Sequence, residues 1–292
     1  MQRVFVGTEA VAAGAVTKYE LRAHYQRVFP DVYTCARDLT VRDRAMGAYL
    51  WSRRRGVVSG VAASALHGAK WVDPQTPIEL NYPNNKSPQG IVARNETLFA
   101  EELQTLHGLP VTTLQRTAFD LARRGTIKQA VARLDALANA TRFNADDVLD
   151  LTPRHARVSG LPRIPRVLNL VDAGAQSPKE TWLRLLLIEA GFPRPRTQIP
   201  VLSPSGRPLY YLDMGWENVM IAVEYDGEHH RTNRDTYTND VNRSDYIHDL
   251  GWRIIRVVAG HRRSEIIEKT RRAWSLRSEL RAISLPRLRS EF

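Results

Sequence analysis

The chain has 292 residues, 43% hydrophobic and 25% charged, with 42 Lys and Arg against 31 Asp and Glu and a formal net charge of +11 at pH 7. That balance excludes a disordered chain, no apolar run approaches the roughly 18 residues of a membrane span, and the N-terminus lacks the basic-then-apolar layout of a signal peptide. One cysteine, Cys35, excludes an intramolecular disulfide framework and a multi-cysteine zinc site. The expectation is a cytoplasmic protein of two domains with no membrane partner. Its excess positive charge suits a polyanion without naming it, with a solvated arginine-rich surface as the alternative.

In chain order, Thr17 followed by Glu20 has capping-box spacing and predicts a short helix through Ala23. The apolar stretch Val4–Val16 before it and the alternating Val28, Phe29, Val32 and Tyr33 after it predict a small helix-turn-helix ending in a wing. Leu39–Trp51 has helical spacing, and Ser59 is placed to cap a second helix ended by Gly68. Strands are expected at Ile78–Asn81 and Ile91–Arg94, on either side of the turn-rich Pro83-Asn84-Asn85. Thr113 is placed to cap LQRTAFDLARR, and a further helix is predicted at about Ile127–Ala140.

Residues 1–150 resemble the AbiEi family of type IV toxin–antitoxin antitoxins. The resemblance rests on Arg27-Val28-Phe29-Pro30 with Val32-Tyr33, and on Ser59, Ala63 and Leu66-His67-Gly68. It continues through Leu109-Pro110-Val111-Thr112-Thr113, Arg116-Thr117 and Asp120-Leu121. It implies a winged helix at residues 1–37 that binds DNA, and a toxin protein as a possible partner. From the residues alone, His67 and Asp120 read at least as well as a packed helix end and a capping or salt-bridging carboxylate as they do as catalytic groups. Leu151–Gln176 holds Pro153, Pro162 and Pro165 and reads as a linker with a short helix near Val167–Val171.

Downstream, Leu209–Trp216 and Val219–Asp226 read as two strands joined at Glu217-Asn218. Pairing Trp216 with Val219 would gather Leu212, Met214, Trp216, Val219, Ile221, Val223 and Tyr225 on one face and Asp213, Ala222, Glu224 and Asp226 on the other. In that register Asp213 lies opposite Ala222, with Glu224 diagonal to it. Three carboxylates on one face call for neutralisation, either by a divalent cation such as Mg²⁺ or Mn²⁺ or by nearby arginines. The His229-His230-Arg231 run that follows favours the cation. Helices are expected at Glu180–Ala190 and Asp235–Leu250, then a strand Arg253–Val258 beside that of Glu224, then a basic helix from His261 onward.

From Ser177 to Arg263 the chain resembles the domain-of-unknown-function family 559, a relative of the Vsr endonucleases within the PD-(D/E)xK superfamily. The matching residues are Ser177-Pro178, Glu180, Arg184, Gln198, Asp213, Glu224-Tyr-Asp226-Gly, His229-His230, Asp240, Arg243 and Leu250–Arg256. The resemblance implies a restriction-endonuclease-like mixed sheet flanked by helices, in an α/β (overall α+β) chain. It also implies Asp213 and Glu224 as metal ligands, Glu180 as a further acid, and His230 in the active site. Asp226 occupies the superfamily's lysine position and is a candidate third ligand; His230 is then the candidate proton carrier, with Lys179 a further candidate for the lysine role. Arg243 and Arg256 read either as phosphate clamps or as ion-pair partners of Asp240, Asp245 or Asp226. The expected function is a metal-dependent DNA endonuclease of repair or defence. The alternative is a non-catalytic DNA-binding regulator or type IV antitoxin built on an inactivated nuclease fold.

Overall fold

The structure, a computed structural model, describes residues 3–84, 86–227 and 234–284, with side chains outside 234–241 and 278–284. The fold is mixed α+β, and the chain divides into two compact units, Met1–Ala173 and Gly174–Phe292. In the first unit, β1 (Val4–Val6), α1 (Gly7–Ala12), α2 (Lys18–His24), β2 (Gln26–Phe29) and β3 (Val32–Thr34) make a small module with strand order β1-β3-β2. Two helices followed by a hairpin is the order predicted for a winged helix. The start of α2 is set locally: the Thr17 hydroxyl accepts from the Glu20 N–H at 3.1 Å, and Glu20 Oε2 accepts from the Thr17 N–H at 2.8 Å.

There follow α3 (Val41–Trp51), β4 (Val57–Ser59), α4 (Gly60–Leu66), β5 (Ile78–Asn81), β6 (Ile91–Arg94), β7 (Leu103–Leu106), β8 (Leu109–Thr112), α5 (Leu114–Arg123), α6 (Ile127–Thr141), α7 (Ala145–Leu149) and α8 (Ile164–Leu170). Their sheet has the order β6-β5-β4-β8-β7. β5 and β6 lie where the alternation places them, but they pair in parallel. Thr113 caps α5 by accepting from the Arg116 N–H, whereas Ser59 precedes α4 without a side-chain cap. Val4, Phe29 and Val32 of the small module share one apolar core with Ala45, Ala48, Val58, Ile78, Leu80 and Val111.

The stretch 151–176, expected as a linker, is folded through residue 173. Ile164, Val167 and Leu168 of α8 are buried, and His155 is buried between the rings of Phe99 and Phe119, 5.4 Å from each. Its prolines sit in the first turns of short helices, where a missing N–H costs nothing.

The second unit comprises α9 (Pro178–Glu189), β9 (Arg196–Leu202), β10 (Pro208–Trp216), β11 (Ile221–Asp226), α10 (Arg234–Asp249), β12 (Arg253–Val258) and α11 (Arg263–Ser284). Its sheet runs β12-β11-β10-β9, with β11 and β12 parallel and the other pairs antiparallel. One face buries Met214, Trp216, Ile221 and Val223 against Leu183, Leu186 and Leu187 of α9 and Ile266 and Ala273 of α11. The other buries Ile199, Val201, Leu212 and Ala222 against Ile247 of α10.

The β10–β11 register differs from the expectation by two residues. Trp216 pairs with Ile221 and Gly215 with Ala222, because the turn spans Glu217–Met220 and is longer than the two-residue turn of the sequence reading. Gly215 is needed there: a Cβ would stand 2.3 Å from the Ile221 carbonyl oxygen. An even shift keeps each side chain on its face. It also changes the neighbour of Asp213, since one step past the Met214–Val223 pair Asp213 stands across from Glu224 instead of Ala222. Leu212 departs from the expected face. It pairs with Ile199, beside the irregularity at Gln198 (φ 48°), and joins the opposite core. Among the described residues no helix is long and apolar enough to cross a membrane.

Candidate functional site

In the second unit, a cleft of about 330 Å³ opens where β10 and β11 cease to pair, lined by Asp213, Glu224, Tyr225, Asp226, Gly227, Arg243 and Arg256. Each lining side chain is placed by an element already described. Asp213 and Glu224 come from β10 and β11, and Arg243 from α10. Arg256 comes from β12, at the position paired with Glu224. The sequence therefore brings together Asp213, Glu224, Asp226, Arg243 and Arg256. His230 lies outside the described residues.

Glu224, 7% exposed, is held by Arg243 through both oxygens, Nη2 donating to Oε1 at 2.5 Å and Nη1 to Oε2 at 3.2 Å. Arg243 also donates to the Tyr211 carbonyl at 3.2 Å and lies 5.8 Å from the Tyr210 ring centroid. A bidentate guanidinium–carboxylate pair is the strong form of this contact. The carboxylate Arg243 holds here is Glu224, which was not among the ion-pair partners expected for it. Arg256 donates to Ser244 Oγ. Lys179 sits 5.7 Å from the Tyr225 ring centroid, a cation–π placement.

Asp213 accepts a hydrogen bond from the Tyr225 N–H at 2.9 Å. Burial pushes its carboxyl up to about 7; the Tyr225 N–H and Arg243 oppose the rise, and the charges of Glu180 and Glu224 add to it. Glu180, on the first turn of α9, accepts from the Gln176 N–H and the Ser177 hydroxyl, both at 2.9 Å, and burial raises its pKa against those bonds. It acts on Asp213 through its charge and does not line the cleft.

Mg²⁺ needs carboxylate oxygens that can reach it at about 2.0–2.1 Å. Arg243 engages both Glu224 oxygens, so a Mg²⁺ ion would have to compete with that guanidinium for them. Among the described residues no three His, Cys, Asp or Glu side chains gather closely enough to hold a metal.

The first unit carries a second concentration of charge, of which only Arg116 and Asp120 stand out in the sequence. Arg116, 1% exposed, donates to Glu102 at 2.6 Å, Glu96 at 3.1 Å, Asp120 at 3.3 Å and the Thr97 carbonyl at 3.0 Å. Arg123 joins Asp120 and Glu96, and Arg124 joins Glu79, Glu96 and Asp120. Arg94 completes the set on Glu79 at 2.9 Å, and His155 Nε2 lies 2.5 Å from Glu102. Burial works to raise the Glu96 pKa, but Arg123 and Arg124 outweigh it and hold the carboxyl at about 2. Asp120 is thus an ion-paired carboxylate within this network. The signal available in sequence was the spacing of Arg116, Asp120, Arg123 and Arg124 on one helical face. His67 is half-buried, with Nε2 3.0 Å from the Thr112 carbonyl oxygen, and burial lowers its pKa.

Within the first unit, the small three-stranded module leads into an α+β part organised around a buried arginine–carboxylate network. Residues 56–172 match the family model described as the AbiEi antitoxin C-terminal domain, a span that runs from the residue before β4 to just beyond α8. Two curated relatives, uncharacterized proteins Rv2248 and MT2308 from two strains of Mycobacterium tuberculosis, are each 26% identical over 163 residues, covering 56% of this chain and 60% of theirs. The chain therefore spans about three-fifths of the length of these relatives. The crystal structure of the RV2827C protein from Mycobacterium tuberculosis is similar over 69% of this chain and 84% of that one, at 15% identity and a TM-score of 0.39.

Proposed function

We propose that the protein is a DNA-binding regulator of the type IV antitoxin class, with a toxin protein as partner. The observation that carries this reading is the match of residues 56–172 to the AbiEi antitoxin C-terminal domain. The preceding module suits the DNA contact: Lys18, Tyr19 and Arg22 of α2 are all exposed, Tyr19 at 77%. Short basic helices of this kind bind mainly through phosphates, so affinity falls steeply with salt. Lys18→Ala with Arg22→Ala should weaken binding to duplex DNA about tenfold at low salt and flatten its salt dependence, as read by mobility shift. Unchanged affinity and salt slope would place the DNA contact elsewhere and sink this assignment of the module.

A second reading keeps a hydrolytic role for the second unit. The observation favouring it is that Asp213, Glu224, Asp226, Arg243 and Arg256 line one cleft. It predicts DNA nicking that needs Mg²⁺ or Mn²⁺ and disappears in both Asp213→Ala and Glu224→Ala. Equal nicking by wild type and both variants, at matched purity, would remove it.

A further inference from the structure

The first unit contains a groove of about 730 Å³ between the β2–β3 wing and the loops around Pro77 and Gly90. Arg27, Arg37 and Arg44 converge on it. The other buried arginines described in this unit, Arg116 and Arg123, are each matched to carboxylates. Among the described residues, Arg27, Arg37 and Arg44 make no ion pair.

Arg44 is the most informative of the three. It is only 9% exposed, on α3, and its hydrogen bonds go to the carbonyls of Pro74 and Thr76, both through Nη1. Burial pulls its pKa down, and the more distant charge of Asp73 only partly restores it. Its Nη2 lies beside Gly90, where a Cβ would come within 3.0 Å of that nitrogen, and Gly90 has φ +87°. A side chain at position 90 would crowd the very end of the guanidinium that has donors to spare. A buried guanidinium is costly unless its charge and donors are met. Here the protein meets them in part and turns the remainder toward a groove with two exposed arginines at its rim.

From this geometry we infer that the groove binds a phosphate ester carrying a ring, as in a nucleotide, with Arg27, Arg37 and Arg44 on the phosphate and Phe29, Pro30 and Pro77 forming the apolar wall. Guanidinium forks match phosphate oxygens, and the volume and mixed lining are those of a small-ligand site. The source is either a free nucleotide or a phosphate of a nucleic-acid strand, and the test separates them.

The full chain is titrated by calorimetry with pyrophosphate, with ATP and with a short single-stranded deoxyoligonucleotide. Arg27→Ala/Arg37→Ala, both at exposed positions, should weaken the bound probe at least about tenfold, and Arg44→Gln by a similar factor. Saturable binding of ATP and pyrophosphate marks a nucleotide site; saturation by the oligonucleotide alone marks a strand phosphate. The inference is overturned if no probe saturates, or if wild type and the Arg27→Ala/Arg37→Ala protein bind alike, which would be general attraction to a basic surface. Should Arg44→Gln fail to fold, the double variant decides. The inference does not rest on the antitoxin reading, so Lys18→Ala/Arg22→Ala protein should retain the probe.

Discussion

Asp213→Asn should stabilise the second unit by up to about 4 kcal/mol above pH 7 and flatten its stability between about pH 4 and pH 7. The sign follows from the direction of the shift. Burial raises this carboxyl from 3.8 to about 7 in the folded protein. Through that window the folded chain keeps a proton that the unfolded chain has lost, so wild-type stability is fullest below the unfolded pKa and falls as pH rises toward 7. Asparagine keeps an oxygen for the Tyr225 N–H and removes the charge. Urea unfolding followed by tryptophan fluorescence weights this unit, which holds Trp182, Trp216, Trp252 and Trp274, four of the six tryptophans; Trp51 and Trp71 lie in the first unit. Parallel pH profiles for the variant and wild type would show that Asp213 does not carry the raised pKa.

Arg116→Ala should destabilise the first unit by about 3–5 kcal/mol, the range for breaking a buried ion pair by removing one partner. The loss strands Glu102, 1% exposed, with His155 as its remaining side-chain ligand besides the Phe99 N–H, and leaves the Thr97 carbonyl without its arginine. For a unit of this size the midpoint of thermal unfolding should fall by roughly 10 °C. Lysine at this position is expected to recover only part of the loss, because a single ammonium cannot serve Glu96, Glu102 and Asp120 from one fork. A midpoint unchanged in Arg116→Ala would mean that the network adds nothing to stability. The pH response here is opposite to that of Asp213. Glu96, held at about 2, supports the fold above its ordinary pKa of 4.5 and loses that support as pH falls toward 2.

Features fixed by neighbours in sequence were legible. The Thr17–Glu20 capping box, the Thr113 cap and the bounds of β5, β6 and β12 depend on propensity and spacing over a few residues, and they stand where those signals put them. The apolar face of the β10–β11 hairpin was legible for most of its length because alternation survives an even change of register. The pairing partner of Asp213 was not, since a turn two residues longer leaves the pattern intact while replacing Ala222 with Glu224. Likewise the joining of Arg243 to Glu224 depends on how α10 returns over the sheet, which no local pattern encodes. The proline-bearing stretch after 151 was misleading for a related reason. Proline disfavours long helices but is at home in first turns, and what fixes this segment is a distant partner, Glu102 meeting His155.

The arginine network also bears on how the protein behaves in salt. Arg94, Arg116, Arg123 and Arg124 face Glu79, Glu96, Glu102 and Asp120, four cations against four anions, so the cluster is electrically balanced and the whole surplus of +11 lies outside it. Fields from exposed charge fade over about 8 Å at physiological ionic strength, whereas buried pairs are screened far less. Raising the salt concentration should therefore strip the protein of its long-range pull on polyanions while leaving the folding of the first unit almost untouched, giving attraction and architecture separate ionic-strength dependences.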